Sequence, residues 1–297
     1  GNSDGRPDGF ATSATSDISG VSIGRLNGAA TAGTTILSDG GDIFIKGKSS
    51  GGGVGMGINY SHSGVLDAGS GTLTMIGESS SYNAIELSAW IAGVAEGSYL
   101  DINANTISMS GISSASGRSG LNSSQLNNRY TRITSGPGGI SFYGENTADT
   151  SKGISVSLNA STSGGDITMV SPNNVELYTG SNNKSINAGT GDISITANTL
   201  SIQNGTTLSG NGTLAIEPYT AGRAINIGTT GANTLDIASS YFFTNFTNGF
   251  SDITIGNATS GATTVGSATT FNDNITLINN SNIAINGAVT ANENLTL

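Results

Sequence analysis

Apolar residues in this chain recur at every second position within short runs. Ile167 and Met169 flank Thr168, Ile193 and Ile195 flank Ser194, Leu214 and Ile216 flank Ala215, and Ile253 and Ile255 flank Thr254. A period of two with one apolar and one small polar face predicts β-strands of roughly three to six residues. No stretch of useful length carries the helical period of about 3.6. The nearest, Ala84 to Glu96, contains Ser88, Gly93 and Val94, so almost no helix is expected.

Each alternating run follows a turn rich in Gly, Asn, Ser or Thr, and this unit repeats. Copies read GGDIFIKG from Gly40, GSGTLTMIG from Gly69, GPGGISFYG from Gly136, GGDITMVS from Gly164, GTGDISITA from Gly189 and GNGTLAIEP from Gly210. ANTLDIASS from Ala232, GFSDITIGN from Gly249 and ANENLTL from Ala291 continue the series. The first aliphatics of successive copies are Ile43, Leu73, Leu100, Ile140, Ile167, Ile193, Leu214, Leu235, Ile253, Ile275 and Leu295, so the step shortens from 30 residues (43 to 73) to 20 (275 to 295). One interval, Leu100 to Ile140, spans 40 and is read as an extra turn or an insertion.

Short strands punctuated by Gly and Asn at this spacing predict an all-β solenoid of parallel strands, a β-helix. A hairpin sandwich is the structural alternative, but sandwiches turn every 8–12 residues and fill larger, more aromatic cores. About 12 to 13 coils rising about 4.8 Å each would make a rod on the order of 60 Å long. The reading is a single shaft over 1–297, with looser or longer coils in 1–135 and regular coils in 136–297. The raw sheet edges at the two ends of such a rod, and the lack of an initiating Met, suggest a segment of a longer chain.

Composition fits this reading: 45 of the 297 residues are Gly, only 35% are hydrophobic and 6% aromatic. A narrow interior of stacked aliphatics needs no more, because backbone groups pair from coil to coil. Disorder is disfavoured, since only 10% of residues are charged and Pro occurs 4 times. The net charge of -10 opposes nucleic-acid binding, and no run of about 18 apolar residues marks a membrane span. With no Cys there is neither a disulfide nor a thiolate centre.

From Gly212 onward the sequence resembles a recurrent block of the filamentous-haemagglutinin-like large exoproteins and haemagglutinin-type adhesins of Gram-negative bacteria. Gly212 to Leu214, Ile216, Pro218, Gly222 to Ile227, Leu235, Asp236, Gly249, Phe250, Ile253 to Gly256 and Thr270 to Asp273 carry the match. It is strong over the last third, while the earlier coils match by pattern. The resemblance implies a right-handed parallel β-helix, exported across the outer membrane by a dedicated two-partner transporter and displayed as an extracellular fibre on the bacterial surface. The family's amino-terminal secretion domain with its Asn-Pro-Asn motifs is not found here. The segment would therefore be shaft, adhering to a host or neighbouring cell or to extracellular polysaccharide, and self-associating along its length.

Candidate chemistry is sparse. Asp17, Asp42, Asp101, Asp166, Asp192, Asp236 and Asp252 each precede a strand aliphatic. Stacked in a column they could hold calcium, for example between Asp166 and Asp192, or simply close turns on their own backbone and face water. Calcium is the one cofactor considered, and none is expected. A carbohydrate-active β-helix, lyase or glycosidase, is the alternative function; Asp166, Glu176 and Asp192 with Lys152 or Lys184 are its candidates. No acid cluster stands out from the turn habit, so the chain is not expected to be an enzyme. His62 is the single His and cannot supply a multi-His metal site, and Gly51 to Gly55 lacks the Lys-Ser/Thr ending of a phosphate loop.

Two aromatic clusters remain. Trp90 and Tyr82, with Tyr99, form one; Tyr241, Phe242, Phe243 and Phe246, with Phe250, form the other. Trp90, Tyr82, Tyr241, Phe242, Phe243 and Phe246 are candidate contacts for a glycan or partner, against the alternative that their rings cover the coil's flank. Asn-x-Ser/Thr triplets such as Asn122 and Asn204 arise by composition in so Asn-rich a chain.

Overall fold

The computed structural model describes residues 11–13, 19–23, 34–51, 53–61, 63–88, 99–123, 130–150, 152–180 and 182–297, and it is a parallel β-helix with three faces. One coil runs from Lys184–Asn187 on the third face into the first half of Ile193–Ile202 on the first face, and on into its second half on the second face. On the first face Ile43, Leu73, Ile107, Ile140, Ile167, Ile193, Leu214, Ile253, Ile275 and Leu295 stack in direct register. Ala11–Ser13 pairs with the end of Ile43–Ser49 and adds an eleventh rung among the described residues. Val21, Ile58, Ile85, Leu121, Ile154, Val175 and Leu200 form the second face. Ile36, Leu66, Ile102, Ile133, Ala160, Ile186 and Leu208 form the third. Crossovers between parallel strands are right-handed almost without exception.

The alternation decides which side chains enter the axis. In Ile167–Leu177 every odd-numbered residue is buried and every even-numbered one is half exposed. Across the stack, Leu73, Ile107, Ile167, Ile193 and Leu214 are fully buried in one continuous cluster.

Two of the expected rung starts lie elsewhere. Leu100 belongs to the third face, opposite Gly64 and Thr131, and Ile107 takes the first-face rung. The strand Tyr99–Ser113 runs unbroken around the corner between two faces, so one strand carries two apolar alternations. The first-face steps around it are 34 (73 to 107) and 33 (107 to 140), so the interval of 40 holds an additional first-face rung. Leu235 lies on the second face opposite Ile225, while Leu214 pairs onward with Ile253, 39 residues later. That interval holds a strand, Thr234–Ile237, parallel to Ala224–Ile227 and reached through only 228–233. Parallel neighbours ordinarily need a much longer crossover. Here positive φ at Gly228 (75°) and Asn233 (59°) lets the chain double back.

The corner between first and second faces has its own chemistry. Gly47, Gly77, Gly111 and Gly144 share a column. A Cβ on Gly111 would sit 2.0 Å from the Gly120 carbonyl oxygen, so the acute bend requires Gly. The next-but-one positions, Ser49, Ser79, Ser113 and Asn146, are buried. Ser79 Oγ donates to the Gly55 carbonyl (2.8 Å), Ser113 Oγ to that of Tyr82 (2.7 Å) and Asn146 Nδ2 to that of Ala115 (3.0 Å). Each bond holds the corner loop of the preceding coil.

Candidate functional site

The aspartates do not form one column. Asp42, Asp166, Asp192 and Asp252 lie in the outward row that begins the first face, Asp101 is on the third face and Asp236 on the second; Asp17 lies outside the described residues. Three of them accept a backbone N–H from the next coil: Asp42 Oδ1 accepts from Thr72 N (2.8 Å), Asp166 Oδ1 from Asp192 N (2.9 Å) and Asp192 Oδ1 from Thr213 N (2.6 Å). The expected turn closure on the residue's own backbone belongs instead to Asp67 and Asn187, which accept from Gly69 N and Gly189 N. Among the described residues no three of His, Cys, Asp and Glu are grouped to hold a metal.

The acids offered for catalysis are spread over the prism. Asp166 and Asp192 sit at the corner of the third and first faces, whereas Glu176 is on the second face and accepts from Ser155 Oγ (2.6 Å). Lys152 is exposed; Lys184 is buried on the third face, where its Nζ donates to the Asn182 carbonyl (2.9 Å) and burial lowers its pKa. These five side chains are not brought together.

A polar cluster that the sequence did not signal lies on the second face. Glu86 is almost fully buried and accepts from Asn83 Nδ2 (2.6 Å) and Asn122 Nδ2 (2.8 Å). Tyr178 donates to the Ser123 carbonyl (2.7 Å), and burial, reinforced by Glu86 and Glu176, raises its pKa. Another unsignalled group is exposed on the third face: Arg132 makes a two-pronged pair with Asp101 (2.6 and 2.8 Å) while its guanidinium lies 3.8 Å from the centre of the Tyr99 ring. Side chains from adjacent coils meet in both cases, and only knowledge of the register could have found them.

The second aromatic cluster is mostly interior, which corrects two of the candidate contacts. Phe242 and Phe246 are buried, as is Phe250. The short helix Tyr241–Thr244 leads into the third-face slot, where Leu208 N donates to the Asn245 carbonyl, Thr247 N donates to the Leu208 carbonyl, and Phe246 bridges in parallel to Leu208. Phe242 meets Phe271 edge-on at 4.7 Å and Phe246 at 5.4 Å. Tyr241 is half buried and its hydroxyl accepts from Ile202 N (3.0 Å). Phe243 alone of the four points outward, 63% exposed. Tyr82 is half buried beneath the Arg118 guanidinium, 3.8 Å from its ring centre. Trp90 and His62 lie outside the described residues.

The excursion is clasped to the next coil by Asp273, 3% exposed, which accepts from Gly249 N (2.7 Å). Burial raises its pKa, the bonds from Gly249 and Phe250 oppose that rise, and Glu293 adds to it. Among the described residues no helix is long and apolar enough to cross a membrane. No family model, curated protein or solved structure matches the chain.

Proposed function

We propose that this chain is a structural and adhesive shaft segment of a secreted or surface-attached bacterial fibre. The observation that carries the reading is the first face, where ten residues from Ile43 to Leu295 stack in direct register. An unbroken in-register ladder resists bending and stretching because each rung is bonded to two neighbours, while the outward positions are small and polar. Such a body supplies length and surface rather than a pocket. The resemblance of its last third to haemagglutinin-type exoproteins points the same way, toward export by an outer-membrane transporter and contact with a host cell, a neighbouring cell or extracellular polysaccharide. Of the candidate aromatic contacts among the described residues, Tyr82 and Tyr241 are half exposed and Phe243 is exposed, and these three are open to that role. Beads coated with the chain should be retained on cell layers or on biofilm polysaccharide in a saturable way that free chain competes away. Retention no greater than that of albumin-coated beads on all of these surfaces would reject the adhesive role.

A further inference from the structure

Among the described residues, the middle of the first face's outward side is half exposed or exposed at every rung. Its middle outward row reads Phe44, Thr74, Ser108, Ser141, Thr168, Ser194, Ala215, Thr254, Thr276 and Thr296, one residue per rung and no charge. At its start Phe44 is 63% exposed. Ten rungs about 4.8 Å apart and three outward rows about 6.6 Å apart give a patch near 650 Å². Two such patches would bury about 1,300 Å², within the range of specific interfaces.

We infer that this face is an interface between two copies of the chain, lying side by side with their axes parallel. The edges of the face choose that orientation. One edge carries Asp42, Asp166, Asp192 and Asp252; the other carries Lys46, Ile76, Ser110, Tyr143, Val170, Thr196 and Glu217. A twofold axis along the rod sets each edge against the opposite edge of the partner at equal height. Phe44 then meets Phe44 of the second copy, Asp42 faces Lys46, and Asp166 and Asp192 face the neutral Val170 and Thr196. Reversing one copy sets Asp166 against Asp192 and leaves Phe44 over Thr296, burying like charges and exposing the ring. Because each copy carries a net charge of -10, approach through a middle row without charge also avoids the largest repulsion. The inference goes beyond the adhesive reading and does not depend on it.

Sedimentation of the full chain across a concentration series tests the pairing. The wild type is expected to show a reversible dimer. Thr168→Lys, at the centre of the face, and Phe44→Ser should each weaken it by about tenfold or more. Ser161→Lys on the third face should not, and circular dichroism would show that all three variants keep the wild-type fold. Orientation is read separately: the chain has no Cys, so Thr74→Cys provides a unique thiol near one end of the face. Parallel copies bring the two thiols together, and mild oxidation should give a covalent dimer. Antiparallel copies would hold them about 34 Å apart. A wild type that stays monomeric, a dimer indifferent to Thr168→Lys, or a Thr74→Cys dimer that fails to cross-link would each overturn the proposal.

Discussion

A single inward position carries more of this molecule's stability than several outward ones, because each coil fills the axis with only a few side chains from each face. Ile193 is fully buried between Ile167 and Leu214, while Ser194 beside it faces out. Ile193→Asp should cost several kcal/mol by burying a charge without a partner. In the same thermal melt, run dilute enough that the chain is monomeric, Ser194→Asp should be nearly silent, and equal losses would reject the register. Gly111→Ala is expected to be severe for another reason, since its Cβ would collide with backbone, which cannot rotate away. Its melting temperature should fall well below that of Gly117→Ala, where the added Cβ meets nothing within 4 Å and only the positive φ of 70° opposes it. Asp273 offers a test by pH. Its folded-state pKa is raised by burial, so the folded state binds more protons than the unfolded chain in the interval above 3.8, and stability falls as pH rises through that interval. Asp273→Asn keeps an oxygen for Gly249 N without the charge. It should raise the melting temperature at neutral pH, with the gain vanishing in acid below both pKa values; a gain that persists there would contradict burial as the cause.

At the scale of elements, the excursion between Leu214 and Ile253 behaves as a plug. Phe246→Ala should remove about 3–5 kcal/mol through lost contact and the cavity left behind. In a solenoid that loss is felt by neighbours first. Hydrogen exchange should therefore quicken at Leu208 N and Thr247 N, which are bonded across this slot, while Ile140 N stays protected. Phe243→Ala, on the exposed side, should change neither. The excursion also marks the limit of what alternation reveals. The strands around Ile167, Ile193, Leu214 and Ile253 were legible because their outward residues are small, so the period of two was clean. Leu100 was misassigned because Tyr99–Ser113 turns a corner without breaking. Leu235 was misassigned because a doubled-back strand looks locally like the next rung. The burial of Phe242 and Phe246 depends on a four-residue helix and the single bridge that follows it, and four residues carry no helical period to read.

For the whole molecule, the three-faced stack explains how a chain with 45 Gly and 6% aromatic residues holds a fixed shape. The core is long and thin, and the ladder does the work that bulk does in a globular domain. The sequence could announce that architecture through repetition alone. It could not announce groups assembled from different coils, such as Arg132 with Asp101 and Tyr99, or Glu86 with Asn122, because partners 31 or more residues apart become neighbours only once the register is known. The most direct test of the account is therefore a ruler along the axis. Paired spin labels, one on Thr74 and the other in turn on Ala215, Thr254 and Thr276, and diluted with unlabelled chain, should report distances of about 24, 29 and 34 Å. The 39 residues from Ala215 to Thr254 should add the same single step as the 22 from Thr254 to Thr276. Distances that follow sequence separation, or that fold back on themselves as in an antiparallel sandwich, would contradict the stacked-coil account.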